Sequence, residues 1–200
     1  DANFSADFYK ADLYALGIAD GPMTLGMCAN MTVKTDLKNY FDIQGEIDDL
    51  HLNQPSGDLA AELIDVDVLL NNDTTHVSVN SGDFQLSIEG KGGYQKILNQ
   101  ATRMAADVGK MIEERRFDEA RIREKLPDVD IYMSGGTDNL LSRVLEEQGL
   151  TYKEMYVNMY SSHVNGLNGD VKFDSLTVGD MLLDRVRLAL VTDSTGFRYN

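Results

Sequence analysis

The sequence predicts an α+β fold of two related antiparallel β-sheet repeat units with an intervening helical pair and short helices. Three observations lead to this prediction. The chain repeats itself at an offset of about 120 to 128 residues. Most segments alternate apolar and polar residues with period two, which is typical of half-buried strands. The stretch between the two copies has the spacing of helices instead.

The repeat is visible in three pairs of segments whose offset falls along the chain. Residues 26–31 return as 154–159, residues 43–47 as 167–171, and residues 66–80 as 186–200. We place the loss of offset in the turn-like segments 35–40 and 53–64, where insertions are tolerated. Repeats of this kind are typical of array architectures, which build long surfaces. The second copy stops where the first continues into residues 81–84, so we expect a piece of a longer protein.

This organisation predicts three regions. They are a first β repeat unit at 1–90, a helical insertion at 91–127, and a second β repeat unit at 128–200 that is truncated at the C-terminus. If the repeat is real, the copies superpose with Met27 over Met155 and Val66 over Val186. Residues 197–200 should then lie at an open sheet edge, because the strand that follows them in the first copy is missing.

In the first unit, a short helical turn at 11–16, closed by Gly17, precedes the strands. The strands are predicted from apolar residues that alternate with polar ones: Met27, Ala29, Met31 and Val33; Ile64, Val66, Val68 and Leu70; Val77 and Val79; Phe84, Leu86 and Ile88. The segments 71–73 and 81–83 are rich in Asn, Asp, Ser and Gly and predict tight turns. The last three strands therefore form a meander.

The helical insertion begins with apolar residues at helical spacing from 94 to 112, which predicts an amphipathic helix. A shorter helix is expected at 118–126, ended by Pro127. A third helix is expected at 138–148, with Thr137 or Asp138 as its N-cap and Gly149 just past its end.

The strands of the second unit repeat the apolar pattern of the first. Their apolar positions are Met155, Val157 and Met159, then Val186, Leu188 and Leu190, and finally Phe197 and Tyr199 after a turn at 192–194.

The composition excludes several classes of partner. Asp and Glu outnumber Lys and Arg by 33 to 18, which gives a formal net charge of −15. Such a surface repels phosphate backbones and anionic headgroups, so neither nucleic-acid binding nor electrostatic docking to anionic headgroups is expected. Cys28 is the single cysteine, which excludes an internal disulfide framework. No apolar run has the length of a membrane span, and no signal peptide is recognisable.

No catalytic or metal-binding constellation is recognisable in the sequence. The three histidines share no ligand spacing with one another or with the cysteine: His51, His76 and His163. Two pairs of carboxylates alternate with apolar residues on predicted strands: Asp65 with Asp67, and Asp128 with Asp130. Because the apolar residues must be the buried ones, the carboxylates are expected on a solvated face. We therefore expect no enzyme, no cofactor and no metal.

The candidate binding surface is the apolar face that both copies share. Methionine adapts to irregular apolar partners, including flexible ligands. Ten residues are candidates to face a lipid: Met27, Ala29, Met31, Val66, Val68, Met155, Val157, Met159, Val186 and Leu188. Ordinary core packing is the alternative explanation of the same pattern.

Two combinations of segments resemble the repeats of AsmA-like proteins, especially TamB-type translocation and assembly proteins of Bacteroidetes. The first is Phe-Ser-Ala-Asp at 4–7 with residues 11–17. The second is the segment 66–73 followed by Gly-Asp-Phe at 82–84. The resemblance covers residues 2–90 and 129–200, and it leaves the central helices unexplained.

The resemblance implies a place and a role in the cell envelope. Such proteins are anchored in the inner membrane and span the periplasm of Gram-negative bacteria. They form a long β-sheet folded into a trough with an apolar interior. They are linked to phospholipid transport and to outer-membrane biogenesis with an outer-membrane barrel protein. The implied partners are therefore phospholipid acyl chains and, through the full-length parent, a barrel protein.

The function expected from the sequence is a non-enzymatic periplasmic segment of an AsmA/TamB-like protein that forms part of such a trough. One alternative is a structural or interaction module of the envelope whose sheet face is covered by its own helices. Another is a compact carrier of an apolar ligand with a closed pocket. The three differ in structure: the first requires an apolar trough open at both ends, the second no trough, and the third a sealed cavity. The amphipathic helix at 94–112 could plug an open trough.

Overall fold

The computed structural model describes residues 2–55, 57–114, 119–193 and 196–199. The strands are β1 (Ala2–Asp12), β2 (Thr24–Thr35), β3 (Phe41–Gln54), β4 (Gly57–Leu70), β5 (Thr74–Ser81), β6 (Phe84–Lys91), β7 (Val129–Gly135), β8 (Leu150–Thr151), β9 (Glu154–Ser162), β10 (Gly166–Val178), β11 (Met181–Asp193) and β12 (Gly196–Tyr199). The helices are α1 (Tyr94–Glu114), α2 (Glu119–Lys125) and α3 (Leu140–Glu147). The predicted α+β class is confirmed.

The described strands form one 12-stranded sheet. Its order follows the chain from β1 to β7 and from β9 to β12, while the two-residue strand β8 pairs with β10. All neighbours are antiparallel. Strands of both predicted units therefore belong to the same sheet. β12 lies at one edge of it. This confirms the prediction for residues 197–199, and Asn200, the last residue of that prediction, lies outside the described residues.

The register separates an apolar face of the sheet from a polar one, because residues in direct cross-strand register point to the same side. The central row of the apolar face consists of Met31, Gly45, Val66, Val79, Leu86, Met133, Val157, Val171 and Leu188. A second row on this face consists of Val33, Ile43, Val68, Val77, Ile88, Ile131, Met159, Gly169 and Leu190. The row between them points to the other side and is mostly polar: Thr32, Gln44, Asp67, Ser78, Ser87, Tyr132, Asn158, Asp170 and Ala189.

The helices cover the two ends of the apolar face. Near the end of β6, Met111 of α1 and Ile122 of α2 are buried with Leu126. At the opposite end of the strands, Leu141 and Leu145 of α3 pack against a second buried cluster. The predicted helix at 94–112 is confirmed and extends to Glu114. Its apolar stripe faces the sheet, as expected for an amphipathic helix that buries one side.

Helix α3 has a different N-cap from the one predicted. Asn139, rather than Thr137 or Asp138, caps it, and its side-chain oxygen accepts a hydrogen bond of 2.8 Å from the amide of Ser142. The side-chain amide of Asn139 also donates to Asp83 at 2.6 Å and to the carbonyl of Gly136 at 2.8 Å. These contacts hold Asn139 in the extended conformation that an N-cap requires. The sequence alone could not reveal the contact with Asp83.

Asn139→Ala is expected to destabilise the fold by about 1–2 kcal/mol, because the cap and its hydrogen bonds are lost together. In a chain of this size that corresponds to a fall of roughly 2–8 °C in the midpoint of thermal unfolding. Thr137→Ala is the matched control, since Thr137 is exposed and its side chain makes no cap. A larger effect for the Thr137 variant would contradict the assignment.

The helical turn predicted at 11–16 starts later than expected. Ala11 and Asp12 end β1, and the turn occupies residues 13–17. The amide of Leu16 donates to the carbonyl of Asp12, and Gly17 follows with φ of 70°. Pairing of Ala11 and Asp12 with β2 therefore prevails over local helix propensity.

The repeat is visible in the order of strands, but one predicted equivalence is wrong. Gly45 pairs with Met31 and Val66, while Gly169 pairs with Met159 and Leu190. Val66 therefore corresponds to Leu190 rather than to Val186. The tips of the β3–β4 and β10–β11 hairpins are separated along the chain by the same number of residues as Gly45 and Gly169. The offset between the copies therefore does not change in the segment 53–64, contrary to the prediction. The four-residue loss falls at the next hairpin instead, and since four is even, every side chain keeps its face.

Candidate functional site

The ten predicted lipid-facing residues lie on the apolar face. Val66, Val157, Met31 and Leu188 belong to the central row, and Val68 and Met159 belong to the second row. Met155 and Val186 both pair with Phe173. Met27 and Ala29 alternate with Met31 along β2, and they pair with Phe8 and Ala6 of β1. The predicted face is therefore continuous across both units.

Burial divides these residues into two groups. Ala29, Met155 and Val157 are buried, with 2%, 5% and 9% of their surface exposed. Leu188 is 40% exposed, and the remaining six are partly exposed: Met27, Met31, Val66, Val68, Met159 and Val186. Three of the ten therefore act as core residues, whereas the others are open to an apolar partner.

Met155 belongs to the core beneath α3 and not to an open groove. It forms a buried cluster with Phe84 and Tyr152, against which Leu141 and Leu145 pack. Met159, the other predicted methionine of β9, lies four residues further along the strand and lines a groove between α1 and the sheet. Burial also raises the pKa of the Tyr152 hydroxyl by desolvation.

A groove of about 480 Å³ separates α1 from the sheet. Its strand side is lined by Leu70, Thr75, Val77, Ile88, Val129, Ile131, Met159, Tyr160, Ser161 and Leu167. Its other side is lined by Tyr94, Ile97, Leu98, Ala101, Met104, Leu126 and Pro127. We call this space the α1 groove. Its volume is within the range of about 300–1,000 Å³ that is usual for small-molecule sites.

Two hydroxyls of the sheet wall, those of Thr75 and Ser161, are hydrogen-bonded within the protein itself. Thr75 donates to the carbonyl of Gly92 at 3.0 Å. Ser161 donates to the carbonyl of Pro127 at 2.6 Å. Because these hydrogen bonds are made within the wall, the groove offers a ligand almost only apolar contacts. An extended hydrocarbon needs no others.

The α1 groove is open to solvent and continues onto the sheet. Leu98 lies at its rim and is 64% exposed. At the start of α1, the ring of Tyr94 meets Phe41 of β3 edge-on, with centroids 6.3 Å apart. Val77 and Ile88 of the groove share the second row with Val68, which is partly exposed. Helix α1 thus covers one end of the apolar face and leaves the central row outside the groove.

The sequence predicted the strand wall only in part. It singled out Met159 as a candidate lipid contact but not Ile88, Ile131 or Leu167. Of these three, only Ile88 belongs to the apolar residues that predict a strand. It predicted the apolar stripe of α1 without predicting which strands the stripe faces. One signal for that contact is Gly90, where an added Cβ would meet the terminal methyl group of Ile97 in α1.

Two of the polar groups singled out by the sequence approach each other on the polar face, where Nε2 of His76 lies 3.9 Å from Oδ1 of Asp67. Asp65 and Asp67 alternate with the apolar residues of β4 and lie on its polar side. His76 pairs with Glu89 at 2.6 Å on that side. The pKa of Cys28 is raised, chiefly by its hydrogen bond with Asp7. Across the described ranges, no three His, Cys, Asp or Glu side chains are placed to hold a metal ion.

Comparisons with protein-family models, curated proteins and solved structures found no match to this chain. In the part of the chain that the structure describes, no helix has both the length and the apolar character needed to span a bilayer.

Proposed function

We propose that this chain is a non-enzymatic periplasmic segment of an AsmA/TamB-like envelope protein. Its apolar face forms part of a β-sheet trough for phospholipid acyl chains in outer-membrane biogenesis. The whole protein would be anchored in the inner membrane and would cooperate with an outer-membrane barrel protein. The observation that carries the proposal is the α1 groove, which opens onto rows of apolar side chains that cross the sheet.

The chemistry of the groove favours acyl chains over polar ligands. The hydroxyls of Thr75 and Ser161 in its wall are already hydrogen-bonded to backbone carbonyls. A ligand rich in hydrogen-bonding groups would lose its water partners there without replacement, which costs free energy. An acyl chain loses nothing of this kind and gains from every apolar contact. Methionine at position 159 and the exposed Leu98 add side chains that can adjust to a flexible chain.

A structural or interaction module is the second candidate function. It is favoured by the packing of α2 and α3, whose apolar residues are used in the two buried clusters. In that case the α1 groove is a packing defect of the fold without a ligand. The two functions differ in whether the folded chain captures lipid.

Photocrosslinking with a phosphatidylethanolamine that carries a diazirine in one acyl chain tests the proposal. The wild-type chain is expected to capture this lipid. Met159→Arg and Leu98→Lys are each expected to reduce capture about tenfold, the equivalent of ~1.4 kcal/mol. Both variants should stay folded, because Met159 is partly exposed, Leu98 lies at the rim, and long cationic side chains can reach water.

Met181→Arg is the matched control, since Met181 is 56% exposed and lies at the other end of the strands from α1. It should capture lipid as well as the wild type does. Equal losses in the Met159 and Met181 variants would mean that lipid binds elsewhere. A folded wild-type chain that captures no lipid would favour the structural module.

A further inference from the structure

The hairpins β3–β4 and β10–β11 are equivalent parts of the two units. Gln54 pairs with Gly57 at the tip of the first, and Val178 pairs with Met181 at the tip of the second. The next apolar pair of the first hairpin is Leu52 with Leu59, and its counterpart is Leu176 with Leu183. The two hairpins therefore correspond residue by residue from their tips inward.

The equivalent residues differ in how well they are covered. Leu59 is 7% exposed, whereas Leu183 is 36% exposed. The polar or small residues at the first tip are replaced by apolar ones that lie in the open: Val178 at 44%, Met181 at 56% and Leu182 at 67% exposed. Val178, Met181 and Leu183 share one side of this hairpin, whereas Leu182 pairs with Thr177 and points to the other side. We call Val178, Met181 and Leu183 the β10–β11 patch. Contiguous exposed apolar side chains of this kind mark interaction sites.

The first hairpin is covered by α3, a helix that precedes β9, the strand equivalent to β2. Arg143 donates to the carbonyl of Ala60 at 2.9 Å, and Gln54 donates to Glu147 at 2.9 Å. The apolar side of α3 packs on the cluster of Phe84 and Met155, to which Leu176 also packs. Because Leu176 is in register with Leu183, the β10–β11 patch continues this established helix–sheet interface.

We propose that the β10–β11 patch is the docking surface for an amphipathic α-helix of a further repeat unit of the same architecture. The helix of one unit lies over the hairpin of the preceding unit, as α3 does. Its leucines, spaced like Leu141 and Leu145, would pack on Leu183 and its neighbours. Where α3 places Glu147 beside Gln54 and Gly57, the incoming helix places an apolar residue, because Val178 and Met181 offer no polar partner.

The test uses a synthetic peptide of residues 137–151 with Glu147→Leu and a hydrocarbon staple between positions 142 and 146. The staple is needed because isolated helices of this length are marginal in water. Methyl NMR spectra of the full chain are recorded during titration. The expected result is saturable shifts confined to the β10–β11 patch. Val178→Glu and Met181→Glu should each weaken binding about tenfold or more, while unfolding midpoints stay unchanged because both positions are exposed.

A peptide that also carries Leu141→Asp and Leu145→Asp is the matched control and should cause no shifts. The proposal is overturned if the parent peptide causes no shifts at the solubility limit, or if the shifts occur at Leu59 or in the α1 groove. It is also overturned if the two patch variants bind the peptide as well as the wild type. These outcomes are independent of lipid capture by the α1 groove.

Discussion

Met155→Arg is expected to unfold the protein, whereas Met159→Arg, on the same strand and the same face, leaves it folded. Met155 is 5% exposed and packs with Phe84 and Tyr152 beneath α3. An arginine there would bury a charge in an apolar cluster, which costs several kcal/mol. That is a large share of the ~5–15 kcal/mol that stabilises an ordinary domain. Circular dichroism at 25 °C and thermal unfolding of both variants measure the difference.

Met155→Leu is the control for this pair. A volume-conserving apolar replacement usually costs less than about 1.5 kcal/mol, so this variant should unfold cooperatively near the wild-type midpoint. If Met155→Arg kept the wild-type midpoint, the side chain would be accessible, and the cluster beneath α3 would not be a core. If Met159→Arg unfolded as well, the α1 groove would be a packed interior.

These two methionines show how much of the apolar face could be predicted from the sequence. Period-two alternation placed Met155 and Met159 on one side of a strand, and the register confirms that they share it. Local sequence does not distinguish their environments, because both methionines flank the apolar Val157. Their environments differ only through helices that are distant along the chain: α3 covers Met155, and α1 stands over Met159. Contacts of that range are not encoded in local spacing.

The repeat was predictable in kind but not in register. Local similarity between residues 66–80 and 186–200 aligns the hairpin turns, because a few residues determine where the chain turns. The register is determined instead by pairing with the preceding strand, where Gly45 and Gly169 accept a methionine of the neighbouring strand. A glycine in a strand often marks such a close approach. Its position in both copies was therefore the better anchor for the alignment.

Helices cover both ends of the apolar face and leave the rows between them partly open. The same apolar pattern therefore serves both as core and as the proposed binding surface. Buried rows under α3 and α2 supply packing that holds the long sheet together. The central row carries side chains of the same kind, yet most of them are only partly buried. An antiparallel sheet with one solvated face usually packs its other face against further structure. In this chain the cover is incomplete, and that is the physical basis for both the proposed lipid contact and the proposed helix docking.

Gly169→Ala is expected to destabilise the protein strongly, and Gly45→Ala to do so less. In both, the new methyl group would collide with a backbone oxygen of the neighbouring strand, that of Asn158 or Asn30. It would also lie 2.7 Å from the Cα of Met159 or 2.8 Å from the Cα of Met31. Backbone cannot yield as a flexible side chain can, so overpacking should cost about 1–3 kcal/mol at each position.

Gly169 carries a further cost that separates the two variants. Its φ is 151°, a conformation that side chains rarely adopt, whereas Gly45 has no such φ. The strain adds roughly 1–3 kcal/mol to Gly169→Ala alone. Gly109→Ala is the matched control of opposite sign. It lies inside α1 with no atom near its Cβ position, so alanine should stabilise the helix by about 0.5–1 kcal/mol. Urea unfolding ranks the three variants, and equal stability of Gly45→Ala and the wild type would contradict the close approach of β2 and β3 on which the repeat register rests.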